Sequence, residues 1–254
     1  MEWRDEGIII GARKHGETSV ILEVMTRGHG RHLGLVRGGR SKRLAAALQP
    51  GNGVEAVWRA RLDEQLGTFA IEAGAARAGR IMASSQALLA ITWLGAILRF
   101  LPERDPHAGL YDVLTVVADH LDAPDIAPAL IVRFELAVLA ELGFRLDLDR
   151  CAATGTATDL PYVSPRTGRA LSREAGAPWR DRLLALPPFL RQDDAAPAPT
   201  PDDIAAGFAL TGHFLAREVF EPRGGGALRA REAYLAELFK GAPTFSASPE
   251  CTPV

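Results

Sequence analysis

Four cations fall within seven residues of the stretch GLVRGGRSKR, at positions 34–43. Guanidinium and ammonium groups bind phosphate oxygens, a pair of glycines lets the backbone approach closely and expose its N–H groups, and a serine hydroxyl adds a donor. A loop of this kind suits the phosphates of a nucleic acid and does not read sequence, so its affinity should fall steeply with salt. The candidate binding residues are Arg37, Gly38, Arg40, Ser41, Lys42 and Arg43.

A second basic stretch, RGGGALRAR at positions 223–231, repeats this chemistry. Arg223, Arg229 and Arg231 surround a glycine run that leads into a predicted helix, and they are further candidates for phosphate binding. An ordinary solvated loop or helix start with surface arginines is the alternative for both stretches. Composition alone leaves the two interpretations open.

No group of residues in the sequence has the pattern of an enzyme active site. GHGRHLG (28–34) leads into another strand and not into a helix, so it indicates a hairpin turn and not a dinucleotide site. The patterns G-x-x-x-x-G-K-[ST] and G-x-S-x-G are absent, and two cysteines, Cys151 and Cys251, are too few to hold a zinc ion by themselves. We therefore expect no catalytic residues, no metal and no cofactor, and an enzyme that acts on nucleic acid is the weaker alternative.

Charge is divided unevenly along the 254 residues. The net charge is −2, yet residues 1–80 carry 13 Lys and Arg against 9 Asp and Glu, whereas residues 81–254 carry 16 against 22. This division indicates that the N-terminal third meets a polyanion. The longest apolar run, 87–98, is too short to cross a bilayer, and the charged N-terminus does not resemble a signal peptide. We expect a cytoplasmic protein without membrane contact.

The composition of residues 1–80 predicts β-strands. β-branched and apolar residues dominate five short segments, which turn residues separate. Between the third and fourth segments, RLAAAL predicts a short helix that Pro50 and Gly51 end. Five strands with this insertion predict an OB-type barrel, a fold that commonly holds single strands of nucleic acid. The predicted strands are 7–13, 18–26, 31–38, 53–62 and 67–74.

From residue 81 apolar residues recur every three or four positions, which predicts a helical domain over 81–254. Within it, the turn-rich residues 145–192 predict an irregular insertion, and DDAAPAPTPDD (193–203) predicts an extended, mobile linker. The fold class is therefore α+β, with an OB barrel over 1–80 followed by the helical domain. The predicted helices are 83–101, 108–122, 127–144, 204–220 and 227–239.

Three stretches together resemble the RecO family of recombination mediators: GETSVILEVMTRGHGRHLGLVRGGRSKR with LQPG (16–51), RFELAVLAELGF (133–144) and RCAATGTATDLPYVSPRTG (150–168). The resemblance implies an OB barrel, a helical domain with a small zinc-ribbon-like insertion, and no enzymatic activity. It also implies binding of single- and double-stranded DNA and annealing of complementary strands. With RecR, such a protein helps to load RecA onto strands coated by single-strand binding protein (SSB).

The same resemblance implies roles for particular residues. The cations of 37–43 would neutralise DNA phosphates while the bases stay free to pair. Arg133 would pair with the carboxylates of the SSB C-terminal tail, which lies in an apolar groove. RecF and RecA would be indirect partners, and the protein would be associated with the nucleoid. An OB-fold protein that binds RNA, or a scaffold without annealing activity, is the alternative.

The insertion departs from the family pattern. Many members carry two C-x-x-C pairs there, and a structural zinc ion needs about four ligands. A single thiolate cannot hold that ion, so we expect a metal-free insertion kept together by packing around Tyr162 and Leu171. The positions that match the family's cysteines are Cys151, Thr154, Ser172 and Ala175.

Overall fold

Five strands at the start of the chain close into a barrel in the order β1-β2-β3-β5-β4. The computed structural model describes residues 1–191, 198–223 and 228–240. At Arg223 and Leu228 it describes the backbone and not the side chain. The closed barrel and the helices after it confirm the predicted α+β fold. The strands are β1 (Glu2–His15), β2 (Ser19–Thr26), β3 (Gly30–Val36), β4 (Gly53–Arg59) and β5 (Thr68–Ala73), and helix α1 (Lys42–Ala47) lies between β3 and β4.

Strand β1 closes the barrel because it pairs with a different strand along each half. Its first half pairs with β4 and its second half with β2, and the register shifts between Ile9 and Gly11. Successive side chains of a strand point to opposite faces. Ile9 therefore packs inside the barrel, whereas Ile8 and Ile10 lie in the core that the barrel shares with the helices. The three consecutive isoleucines are explained by burial on both faces of this strand.

The helices pack against the barrel and against one another mainly through their apolar faces. Helix α3 lies close to β1, since a Cβ at Gly95 would be only 2.5 Å from the Ile10 carbonyl oxygen. In the part of the chain that the structure describes, no helix is long and apolar enough to span a membrane. The helices are α2 (Ala78–Met82), α3 (Ser85–Leu98), α4 (Ala108–Asp119), α5 (Ala127–Glu141), α6 (Arg173–Gly176), α7 (Pro201–Phe214) and α8 (Leu228–Leu238).

A buried carboxylate joins the barrel to the helices. Glu23 of β2 accepts hydrogen bonds from Arg31 of β3 at 2.9 Å and from Arg99, just after α3, at 2.9 Å. Arg31 also donates to the Leu101 carbonyl at 3.3 Å. Glu23 and Arg31 are both buried. Their desolvation is offset only while these partners are present, so the cluster fixes the barrel against α3.

The insertion between α5 and α7 contains a small antiparallel sheet in the order β7-β6-β8. Its strands are β6 (Tyr162–Val163), β7 (Ala170–Leu171) and β8 (Leu184–Ala185). Tyr162 and Leu171 are direct cross-strand partners. The two apolar side chains expected to hold the insertion together therefore meet across this sheet.

The residues at the family's cysteine positions do not fit a zinc ion. Ser172 starts α6, where its Oγ accepts a hydrogen bond from the Ala175 N–H at 3.3 Å, and its own N–H donates to the Cys151 sulfur at 3.2 Å. Within residues 1–191, 198–223 and 228–240, no three His, Cys, Asp or Glu side chains come together as a metal site. Burial raises the pKa of the Cys151 thiol, but the hydrogen bonds with Ser172 and Thr154 together outweigh this effect and lower the pKa to about 6.

The linker predicted over 193–203 is wrong at its C-terminal end. Thr200 and Asp203 form a capping box in which the Asp203 N–H donates to the Thr200 hydroxyl at 3.2 Å and the Thr200 N–H donates to the Asp203 carboxylate at 2.9 Å. Helix α7 therefore begins at Pro201, a position where the missing N–H costs nothing. The predicted linker residues 193–197 lie outside the described residues.

Candidate nucleic-acid interface

The loop after β3 depends on two glycines with different functions. Gly38 turns the chain with a φ of +65°, in the left-handed region that favours glycine. Gly39 is buried, and a Cβ there would lie 3.1 Å from the side chains of Val20 and Leu48. This close packing holds the loop against the end of the barrel core. The exposed residues on this fixed backbone are Arg37, Arg40, Ser41, Lys42 and Arg43.

Arg40 connects this loop to the turn between β1 and β2. Its backbone N–H donates to the Thr18 carbonyl at 3.0 Å, and its Nη1 donates to the carbonyl oxygens of Gly16 at 3.2 Å and Glu17 at 2.6 Å. These side-chain bonds use one guanidinium nitrogen, so the remaining N–H groups of this exposed side chain stay available to a phosphate. Arg40 is therefore a positioning residue as well as a candidate phosphate ligand.

The backbone donors of the loop are already used inside the protein. The Gly39 N–H donates to the Val36 carbonyl at 3.4 Å, and the Ser41 N–H donates to the Gly38 carbonyl at 3.0 Å. The Arg40 N–H is held by Thr18. The expectation that the glycines expose backbone N–H groups to a phosphate is thus wrong for these three donors. Phosphate binding would depend on the cationic side chains and on the Ser41 hydroxyl, which makes no capping bond to α1.

Most exposed cations of the barrel fall into two groups, and Arg61, in the β4–β5 loop, is an exposed cation outside both. Near the start of β1, arginines are neutralised by carboxylates: Arg4 pairs with Glu55, and Arg59 pairs with Glu2 at 2.9 Å. In the loop of residues 37–43, by contrast, no cation has a described carboxylate within 4.0 Å. Cations without a neighbouring carboxylate keep their full attraction for an external anion.

The strand register adds two cations to the second group. Strand β1 pairs Lys14 with Val20, and Val20 pairs in turn with Val36, immediately before Arg37. Arg13 and Lys14 are exposed at this end of the barrel and also have no ion pair to a described carboxylate. Residue order did not indicate them, because only the pairing of β1 with β2 and β3 brings them beside the loop. We name the following six cations the basic rim: Arg13, Lys14, Arg37, Arg40, Lys42 and Arg43.

Two arginines of the C-terminal stretch, Arg229 and Arg231, do not share one surface. Arg231 has a side chain only 9% exposed, and it forms a salt bridge at 3.0 Å with Glu135, which is fully buried. The prediction of a phosphate contact by Arg231 is therefore corrected, because its guanidinium is used inside the helical core. Arg229 is exposed on α8, and the side chain of Arg223 lies outside the part that the structure describes.

Arg133 lies on the exposed side of α5, next to a groove. Its Nε and Nη2 donate to the Phe189 carbonyl at 3.2 Å and 2.6 Å, so it anchors the end of the insertion and makes no ion pair with a described carboxylate. The groove, of about 320 Å³, runs between α4, α5 and the insertion. Its lining is mixed: it includes the apolar side chains of Val113, Leu136, Leu146 and Leu190, one cation, Arg145, and two carboxylates, Glu141 and Asp149.

Two sequence profiles match the chain. The profile described as "Recombination protein O N terminal" matches residues 1–74, and the profile described as "Recombination protein O C terminal" matches residues 83–225. The chain belongs to the RecO family. The DNA repair protein RecO of Methylocella silvestris is 61% identical over 240 residues, which cover 94% of this chain and 97% of that protein. The RecO of Beijerinckia indica is 55% identical over 251 residues, which cover 99% of this chain and all of that protein.

The RecO profiles divide the structure between its two main parts. The N-terminal profile contains the whole barrel and every residue of the basic rim. The C-terminal profile contains α3 to α7, the insertion and the groove beside Arg133. Membership of the RecO family associates the chain with DNA repair and recombination.

Proposed function

We propose that this RecO-family chain is a recombination mediator that binds single- and double-stranded DNA through the basic rim and anneals complementary strands. With RecR it helps to load RecA onto SSB-coated strands, and RecF is an indirect partner in that process. The observation that carries the proposal is the cluster of six exposed cations at one end of the barrel, none with a carboxylate within 4.0 Å in the described chain. The proposed activity is binding and annealing and needs no catalytic residue.

The chemistry of the rim suits annealing. Cations that contact only phosphates leave the bases of two strands free to pair, and they screen the repulsion between the two polyanions while counterions are released. The barrel offers little base stacking in addition, because its rings are engaged with one another. Trp58 and Phe69 are buried, and one face of Trp3 stacks on His29 with ring centroids 4.2 Å apart. The rim would therefore hold backbones and not bases.

The groove beside Arg133 is our candidate for the SSB C-terminal tail. The apolar side chains of its lining suit the apolar end of that tail, and Arg133 and Arg145 supply positive charge for its carboxylates. Glu141 and Asp149 also line the groove, so the tail's carboxylates must lie on the side of Arg133 and Arg145. Arg133 keeps an exposed side chain while it donates to the Phe189 carbonyl. Arg133→Ala should therefore weaken binding of an SSB tail peptide and leave binding of naked DNA unchanged.

The decisive experiment compares two charge reversals in annealing and binding over a salt series. Arg43→Glu removes one rim cation, whereas Arg61→Glu makes the same change beyond β4, whose end pairs with the start of β1, the opposite end of that strand from Arg13 and Lys14. Arg43→Glu should slow the annealing of SSB-coated oligonucleotides. It should also lower the slope of log K against log salt on single strands by about 0.7 for each phosphate that the protein no longer neutralises.

The control variant Arg61→Glu should behave like the wild type in both assays. Equal effects of the two reversals would contradict a localised interface, and a wild type that binds no DNA would overturn the proposal. Competition between RNA and single-stranded DNA of equal length tests the RNA-binding alternative, because recognition of 2′-hydroxyl groups would favour RNA. A pure scaffold would bind neither polymer.

A further inference from the structure

The insertion presents a tryptophan to solvent. Trp179 is 58% exposed, whereas Trp58 and Trp93 are buried and Trp3 is half-buried under His29. No ring or guanidinium of the described residues stacks on Trp179. A large aromatic ring with one face open to water has an unused stacking surface, so its surroundings decide which ligand it suits.

The backbone that carries Trp179 is firmly held. Residues 177–182 form a short 3₁₀ segment directly after α6 and before β8. Gly176, at the start of this segment, packs so closely on Tyr162 of β6 that a Cβ there would lie 2.5 Å from the ring. The Arg180 carbonyl accepts the Leu183 N–H at 3.2 Å and ends the segment. Trp179 is therefore presented on a fixed turn, which reduces the entropy lost when a ligand binds.

The charge around Trp179 is positive. Arg180 is exposed and has only a 3.4 Å pair with Asp181, itself almost fully solvated, and Arg182 is exposed without a described carboxylate partner. The insertion over 145–191 contains eight arginines against five carboxylates, whereas the rest of residues 81–254 contains 8 cations against 17 carboxylates. The insertion therefore has a net positive charge within a domain of net negative charge, and this charge favours an anionic ligand.

We propose that Trp179, with Arg180 and Arg182, forms a stacking site for an unpaired base of single-stranded DNA. The open ring supplies the stacking face, and the two guanidinium groups supply charge for the flanking phosphates. The site prefers single strands because the bases of a duplex are already stacked and do not offer a free face. This inference rests on the proposed DNA-binding function and adds a base contact that the barrel rim lacks.

The test measures binding of oligo-dT and of a duplex of equal length by fluorescence anisotropy, with quenching of tryptophan emission as a second signal. Trp179→Ala should weaken single-strand binding about 5- to 150-fold, the usual effect of removing the stacking partner of one base, and leave duplex binding within about twofold. Trp179→Phe keeps a ring, so it should retain most of the affinity while the DNA-induced quenching disappears.

Met82→Ala is the matched control, because Met82 is a similarly exposed apolar residue, 63% accessible, in α2 and outside the insertion. It should leave both affinities unchanged. Single-strand binding by Trp179→Ala at wild-type strength would overturn the stacking site and favour a protein contact for this ring. If that result accompanied a loss of binding in Arg43→Glu, the proposed function would stand and only this site would fall. A wild type that binds no DNA would overturn both.

Discussion

The salt bridge between Arg231 and Glu135 allows a quantitative test of what holds the helical region together. The Glu135 carboxylate accepts hydrogen bonds from Trp93 Nε1 at 2.8 Å, from the Thr211 hydroxyl, and from two nitrogens of Arg231 at 3.0 Å each. Arg231 also donates to the Phe208 carbonyl at 2.7 Å, and its guanidinium carbon lies 5.6 Å from the centre of the Phe208 ring. One buried carboxylate thus links α3, α5, α7 and α8.

Replacing Arg231 by methionine should lower the free energy of unfolding by about 3–5 kcal/mol, because Glu135 is left as a buried charge without its partner. Methionine keeps much of the apolar length of arginine, so the cavity contribution stays small. At roughly 2–4 °C per kcal/mol for a chain of this size, Tm should fall by roughly 6–20 °C. The double variant Glu135→Gln/Arg231→Met should recover a large part of that loss, since neither charge remains.

The assay is urea unfolding of the wild type, both single variants and the double variant, followed by tryptophan fluorescence and circular dichroism. A double-mutant cycle then gives the coupling between the two residues, which should reach about 2 kcal/mol or more. Arg229→Met is the control, because Arg229 is exposed on the same helix and its replacement should change stability by at most about 0.5 kcal/mol. A loss below about 1 kcal/mol for Arg231→Met, or additive single effects, would refute this account of the network.

Two further predictions concern the barrel. Arg40→Ala removes one charge and also the hydrogen bonds to the Gly16 and Glu17 carbonyls, so it should lower DNA affinity more than Lys42→Ala does in the same anisotropy assay. Loss of those hydrogen bonds should also lower the Tm of Arg40→Ala by roughly 2–6 °C, whereas the Tm of Lys42→Ala should not fall. Burial lowers the pKa of His32 below its ordinary value of 6.5, so the folded state resists protonation and its stability is lost as the pH falls below that value. Melting curves recorded at and below pH 6.5 should show that Tm depends less steeply on pH in His32→Gln than in the wild type. An equally steep dependence in both proteins would contradict the role given to His32.

The sequence predicted most elements because their patterns are local. The five strand segments of the barrel and the three main helices each carry the period of their own structure. The run of three isoleucines in β1 shows the limit of this approach, since composition identifies a strand but does not say that its two faces belong to different cores. The start of α7 was readable from Thr200 and Asp203, whose spacing is that of a capping box, but the neighbouring prolines and alanines favoured a linker.

The candidate site was less predictable because its members are distant in sequence. In the sequence Arg231 resembles a surface arginine, because only the fold brings it to Glu135, 96 residues earlier in the chain. Arg13 and Lys14 join the rim only through strand pairing, and the backbone donors near Gly39 are taken up by internal hydrogen bonds that no motif reveals. Local patterns therefore identify which residues carry charge, and the fold decides which of those charges face a ligand.

Strand β1 belongs to two cores, and this limits where the chain can be divided. An isolated barrel that ended at residue 80 would expose Ile8 and Ile10 to water and would leave Glu23 and Arg31 without Arg99 and the Leu101 carbonyl. The barrel can thus be the DNA-binding part of the protein without being an autonomous folding unit. We expect the two profile-matched regions to unfold in one cooperative transition, so a minimal DNA-binding fragment of this chain must retain α3.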